Sequence, residues 1–337
     1  MTFMSTTGQA PVPPAEPRGP LGPLLMTPGR WVALAVGVPV ALALIGWTGF
    51  SLVASAAHGS YPFSYAIPVP DGQVAVNINA GDVTLREAPG SSTARLTGTV
   101  QYGLIRPAIG ETITPTGASI DMSCNGINTN CGMSGTLDVP ARTAVTVWSN
   151  GGDITASGFS SGMTLWAYGG NVNATNLAGD LQMDTGGGDL TGTGLTGALQ
   201  IATEGGNVNA GNWVGTGTTR IDTGGGDLTA DGLTGNFQLS TEGGDVDANG
   251  VASTLVGMDS GGGNVTLVFT QVPQNLQIAA EGGDVTVILP LGSTTYNIST
   301  PDDQGANVSY PQSLFSSKST HKITIDSGGG DITVSQG

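Results

Sequence analysis

Basic residues are scarce: 9 Lys plus Arg stand against 25 Asp plus Glu in 337 residues, a formal charge of −16. So acidic a chain is repelled by nucleic-acid phosphates and anionic lipid, which excludes polyanion binding as its function. Cysteine and histidine number two each, Cys124 and Cys131, His58 and His321. A structural zinc site normally takes four Cys or His ligands, so none is expected, and no other cofactor is implied. Glycine is abundant, 56 residues, yet it follows no Gly-X-Y period and 38% of the chain is hydrophobic. Collagen and wholesale disorder are thereby excluded, and a packed core is expected.

Residues 1–30 hold Pro at 11, 13, 14, 17, 20, 23 and 28 and read as a flexible, disordered Pro-rich tail. Residues 31–57 carry no charge, and at 1.5 Å per residue about 20 of them cross a hydrocarbon layer of roughly 30 Å. This predicts one transmembrane helix. Arg18 and Arg30 precede it and no Lys or Arg follows until Arg86, which places the N-terminus in the cytoplasm and the remainder outside the cell membrane. A cleaved signal peptide, with Ala54-Ser55-Ala56 as the cleavage site, is the rival reading, although the apolar run exceeds the usual core of roughly 7 to 15 residues. In an exported domain Cys124 and Cys131 are expected to form a local disulfide, with two free thiols as the alternative.

A phrase of the form apolar-x-apolar-x-small-x-Gly-Gly-Asp/Asn-apolar recurs along the exported part. Its acidic or amide residue falls at Asp153, Asn171, Asp189, Asn207, Asp227, Asp245, Asn264 and Asp284, with outlying copies at Asp82 and Asp331. The first apolar slot runs Val145, Met163, Leu181, Leu199, Thr219, Phe237, Val256, Leu276, and the second runs Val147, Leu165, Met183, Ile201, Ile221, Leu239, Met258, Ile278. Alternation with polar neighbours marks half-buried strands. A third slot follows the glycines (Ile154 to Val285) and a fourth comes five residues later (Phe159, Leu177, Leu195, Trp213, Leu233, Val251). A unit this short cannot bury its apolar face alone, so the units are expected to stack about 4.8 Å apart into an all-β, parallel β-solenoid. Residues 58–144 form a membrane-proximal β cap in this reading, 145–290 the solenoid repeats, and 291–337 a distal cap with a last repeat. Glycine at the corners answers either to positive φ or to close backbone approach.

In-register stacking also predicts a charge pattern. Asp184, Asp222 and Asp259 are expected to face outward with Ala202, Ser240 and Ala279 between them, while Glu204, Glu242 and Glu281 occupy the intervening rungs. Carboxylates of one file then stand about 9.6 Å apart, roughly halving their repulsion relative to adjacent rungs.

Over LDVPARTAVTVWSNGGDITASG (137–158), the repeats through 290 and VFTQVPQNLQIAAEGGDVTVILP, the chain resembles the bacterial putative-adhesin β-strand-repeat family, a domain of unknown function frequent in actinobacteria. The likeness covers roughly residues 74–337. It implies a right-handed, single-stranded β-helix-like fold outside a membrane and brings no catalytic residues with it.

Motifs for chemistry are weak. GTGLTG (192–197) matches a dinucleotide fingerprint but leads into LQIAT rather than a helix, so it reads as a repeat turn. Asp245, Asp247 and Asn249 match the first half of a calcium loop, yet Val256 stands where a bidentate Glu is required; they are weak metal candidates. Between residues 146 and 290 there are 14 Asp plus Glu and a single basic residue, Arg220, poor material for convergent acid, base and charge-stabilising groups. Trp148, Trp166 and Tyr168 take outward slots on adjacent rungs, suited to sugar or protein contact or to covering the junction with residues 61–144. The sequence thus points to a non-catalytic binding or structural module of the cell surface, an adhesin, with an unknown surface glycan or protein as partner. The alternatives are an envelope-stress or regulatory protein acting through its cytoplasmic tail, and a β-helix polysaccharide-active enzyme.

Overall fold

The computed structural model describes residues 36–45, 59–69, 71–78, 81–114, 117–122, 131–301 and 305–337. The chain divides into Met1–Val53 and Ala54–Gly337. In the first unit residues 36–45 are helical. Among the described residues no helix is long and apolar enough to cross a membrane, and the rest of the expected 31–57 span lies outside them.

The second unit is all-β and built from rungs. Each rung runs up one face, turns at the Gly-Gly corner, and continues along a second face. On the first face Ala144–Ser149, Met163–Ala167, Leu181–Thr185 and Leu199–Thr203 pair in parallel without offset, Val145 over Met163 over Leu181 over Leu199. The same register continues through Ile221, Leu239, Met258 and Ile278 to Ile325. On the second face Ile154–Ser157, Val172–Thr175 and Leu190–Thr193 stack likewise, and the file ends at Ile332–Gln336. All four apolar files are buried, Thr219 included. Where one file needs more volume its neighbour yields it: Trp213 is fully buried and its indole N–H donates to the Gly192 carbonyl at 2.9 Å. A Cβ on Gly192 would meet the Trp213 ring at 2.5 Å.

The end rungs do not follow chain order. Gln73–Ile78 and Gly81–Ala88 pair with Ala144–Ser149 and Ile154–Ser157 on one side, so they form a full rung of the stack. On the other side they pair with Gly117–Met122 and Gly132–Pro140, which come later in the chain. Thr93–Tyr102 then runs antiparallel to Gly132–Pro140, and Gly59–Pro68 antiparallel to Thr93–Tyr102. At the far end Lys322–Asp326 and Ile332–Gln336 insert between the rung at 275–289 and the short strands Asn297–Ser299 and Val308–Ser309. The last parallel rung is therefore followed by antiparallel strands at one end, with Gly59–Pro68 outermost, and by the short strands Asn297–Ser299 and Val308–Ser309 at the other, which limits the parallel edge left open to association.

The corner glycines divide by role. The second one of each pair sits on its counterpart in the preceding rung: a Cβ on Gly170, Gly188, Gly206, Gly226 or Gly244 would lie 1.9 to 2.2 Å from the carbonyl oxygen of the glycine before it in the file. The first one, as at Gly151, Gly187 and Gly205, meets nothing within 4 Å. Close approach, rather than positive φ, is what demands glycine here. A buried hydroxyl supports the same turn from inside: Thr203, Thr223, Thr241 and Ser260 each donate to the carbonyl of the glycine three residues on, at 2.6, 2.9, 2.9 and 3.1 Å. Gly206→Ala is expected to cost about 3 kcal/mol through backbone overlap, and Gly205→Ala less than about 0.5 kcal/mol. Comparing the two by denaturant unfolding checks the division.

Candidate functional site

The corner residue of each rung is Asp or Asn, and in the structure these residues form one continuous ladder. The side-chain Oδ1 of each accepts the backbone N–H of its counterpart in the next rung. The series runs from Asp82 to Asp153, Asn171, Asp189, Asn207 and Asp227, at 3.0, 2.8, 2.9, 2.8 and 2.9 Å. It continues through Asp245, Asn264, Asp284 and Asp331 to Asn307, at 2.9, 2.7, 3.1, 2.9 and 3.0 Å. Asn307, in the covering rung, closes a file that sequence order alone would end at Asp331. The corner amides thus gain an acceptor, and a carboxylate acceptor makes the bond stronger than a neutral one. At Asn171, Asn264 and Asn307, each of which follows an Asp, the side-chain N–H₂ also donates to the same oxygen, at 3.2, 3.3 and 2.9 Å. The ladder is structural.

It also takes up the calcium candidates. Asp245 Oδ1 receives both donors of Asn264, while Asp247 and Asn249 lie outward on Val246–Val251 with the Asn249 amide on Asp247 Oδ1 at 3.0 Å. Among the described residues no group of three or more His, Cys, Asp or Glu side chains is placed to hold a metal. Cys131 is disulfide-bonded, and Cys124 lies outside the described residues. His321 is half-buried, with Nδ1 3.0 Å from the Pro273 carbonyl and its ring against Tyr296. GTGLTG spans the end of the strand Leu190–Thr193, a corner at Gly194 and Leu195 and the short strand Thr196–Gly197, with Gly194 and Gly197 at φ 66° and 135°, and leads into the strand Leu199–Thr203.

The outward side of the first face is where unused side chains collect. Its file nearer the corner reads Trp148, Trp166, Asp184, Ala202, Asp222, Ser240, Asp259, Ala279, Asp326. Acidic and small residues alternate, as charge avoidance requires. Two residues further on, the Asp rungs carry Gly and the others Glu. A Cβ on Gly224 or Gly261 would come within 2.1 Å of the Glu204 or Glu242 carbonyl oxygen, so the backbone itself follows the two-rung period. The adjacent file reads Thr164, Gln182, Gln200, Arg220, Gln238, Gly257, Gln277, Thr324. Gly257 is the exception in this amide-rich file. A Cβ there would meet nothing within 4 Å, so the fold does not demand glycine. Its missing side chain opens a cleft of about 300 Å³ whose polar lining is Arg220, Gln238, Ser240, Asp259 and Gln277.

A second cleft, about 250 Å³, opens on the same face between Trp148, Trp166, Tyr168, Asp184 and Glu204. The two tryptophans are half-buried with ring centroids 5.3 Å apart, and Tyr168 is 74% exposed. The Trp166 indole N–H is buried and meets no acceptor among the described residues. Arg220 pairs with Asp222 at 3.3 Å, an exposed contact worth at most about 1 kcal/mol, and no basic side chain lines the aromatic cleft. Burial, and after it the charge of Glu204, raises the Asp184 carboxyl above its ordinary value. With the folded pKa above the unfolded one, Asp184 favours folding only at acidic pH, and that contribution is lost as pH rises through the raised value. Asp184→Asn is accordingly expected to raise the melting temperature at neutral pH by about 1 to 2 °C. The gain should vanish in acid, where Asp184 is protonated; thermal unfolding across the carboxylate range checks this.

Among curated proteins none matches the chain significantly. Three solved structures do. A putative cell adhesion protein from Clostridium sporogenes is 9% identical, with 83% of this chain and 100% of that one covered at a TM-score of 0.25. A putative adhesin from Bacteroides fragilis is 11% identical, with 82% and 97% covered at 0.35. A putative adhesin from Parabacteroides merdae is 12% identical, with 83% and 96% covered at 0.30. A family model of unknown function matches residues 66–335, nearly the whole β unit, and the chain belongs to that family, Toastrack DUF4097.

Proposed function

We propose that the chain is a non-catalytic recognition module of the cell surface, held there by residues 31–57, whose contact surface is the outward side of the first face. The observation behind this is the division of labour among side chains. The corner Asp and Asn are committed to the ladder, whereas both clefts described above open on one face and are lined by aromatic, amide and carboxylate groups, with the Arg220 guanidinium in one of them. Ligand sites of this kind combine apolar walls with a few oriented polar groups. Catalysis would need an acid, a base and a charge-stabilising group converging on one point. The face offers instead a repeated set at rung spacing. The uncharged run at 31–57 supports anchoring, and an adhesin role rests on the chain's own face rather than on the three solved proteins.

The test is retention of cells making the full-length chain on a glycan array, with a C-terminal tag stained on intact cells. Replacing Trp148, Trp166 and Tyr168 together by Ala is expected to cut retention at least tenfold while leaving tag staining unchanged. A tag hidden in intact cells, retention that survives the triple replacement, or shortening of an arrayed glycan would each contradict the reading.

A further inference from the structure

We infer that the loop at residues 103–108 docks on the surface of the lipid bilayer, seating Leu104 and Ile105 at the boundary of headgroups and acyl chains with Arg106 beside the lipid phosphates. This rests on the anchored reading above and adds a second contact surface, at the place where the chain enters the β unit.

The loop joins Thr93–Tyr102 to Ile109–Thr114 and is fastened at its flanks. The Tyr61 hydroxyl donates to the Pro107 carbonyl at 2.8 Å, and the Arg106 guanidinium lies 3.8 Å from the centroid of the Tyr61 ring. The Tyr61 and Tyr102 rings stand 6.0 Å apart. Gly103 and Pro107 are buried, while Leu104, Ile105 and Arg106 between them are exposed. Leu104 is 41% and Ile105 43% exposed, and no other two consecutive large apolar residues among the described residues of the β unit are so placed. Single exposed apolar side chains are ordinary on a protein surface, but an adjacent pair held beside two tyrosines leaves a patch for a neighbour to cover.

Three observations select lipid as that neighbour. The first is position. Gly59 is the register partner of Tyr102, and a Cβ on Gly59 would run into the Tyr102 ring. The uncharged run ends two residues earlier, at Ala57, and a run that spans the hydrocarbon ends at headgroup level. The second is charge. In a chain of net charge −16, residues 59–69 and 101–110 contain no Asp or Glu and one basic residue, Arg106; acidic residues resume at Asp71 and Glu111. The patch therefore escapes the repulsion from lipid phosphates that the rest of the chain meets. Tyrosine, with an apolar body and a polar tip, suits the same boundary. The third is the strand edge. A second copy would dock by adding a strand to Gly59–Pro68, but Pro62 and Pro68 lack the N–H groups that such a ladder uses. Two aliphatic side chains are too few to hold a free domain on a bilayer; tethered by residues 31–57, they meet it at high effective concentration.

The test places the full-length chain, one per disc, in phosphatidylcholine nanodiscs doped with a lipid that carries a nitroxide near its headgroup. A fluorophore is attached at Ala108→Cys, an exposed position beside the loop apex. Cys131 is disulfide-bonded and no free cysteine occurs among the described residues, so labelling without reductant is directed to the introduced thiol. A loop seated roughly 5 to 10 Å deep brings the label to the nitroxide, which is expected to quench about half of its emission while aqueous iodide quenches little. The same label at Leu291→Cys, also an exposed aliphatic position but in the distal cap, should respond to iodide alone. Leu104→Ser combined with Ile105→Ser should give the Ala108→Cys label the Leu291→Cys response, with an unchanged melting temperature. Iodide access without nitroxide quenching, in a chain that stays in the disc, overturns the inference and leaves the anchor standing. Shielding from both quenchers shows a protein surface over the loop and overturns the lipid assignment. Nitroxide quenching that survives the two serines shows mere nearness through the tether and overturns the role of Leu104 and Ile105. Release of the chain from the discs by alkaline carbonate removes the anchored reading and the docking together.

Discussion

The contact on which the rest of the structure depends is the approach of one corner glycine to the next. At Gly188, Gly206 and Gly226 the backbone lies so close to the carbonyl of the preceding glycine that no other residue fits. Such contact holds only when each rung is placed squarely over its neighbour. Once it is, the parallel strands on both faces share one register, and apolar residues of like position form continuous buried files. A narrow core is thereby obtained from units too short to fold separately.

Register has costs as well as benefits, because it places like charges over one another. At the corner the chain turns this to use, since each Asp or Asn oxygen accepts the next amide and the interspersed Asn171, Asn207, Asn264 and Asn307 dilute the charge. On the first face it spaces the carboxylates by alternating Asp with Ala or Ser. That spacing leaves hollows between acidic side chains, and the added omission at Gly257 widens one of them. Stability and the proposed recognition thus draw on the same regularity, but on different sides of the rung.

Much of this could be read from the chain. The four apolar files, the alternation of Asp184, Asp222 and Asp259, and the Gly-Gly corners follow from period-2 patterning and a fixed repeat. Other features were hidden for definable reasons. Thr203 and Ser260 look like small residues until the Gly206 and Gly263 carbonyls are seen to need donors. The corner Asp and Asn look like ordinary turn residues, because the bond partner is about one repeat away. The order of the end rungs depends on pairings such as Val76 with Val147 and Ile278 with Ile325, across insertions that carry no repeat signal. Gly257 was lost among many glycines, although its place in an outward strand slot, away from any corner, was a usable signal.

In-register stacking is tested most directly by cross-linking across two rungs. Thr191 and Asn209 are exposed register partners on the second face, whereas Thr193 is partnered by Gly211. With both replaced by Cys, Thr191→Cys and Asn209→Cys should oxidise to near completion in the folded chain, since neighbouring strands lie within disulfide reach. The offset pair, Thr193→Cys with Asn209→Cys, should remain largely reduced. Readier closure of the offset pair would place the rungs in a different register and contradict the account of both the ladder and the outward face.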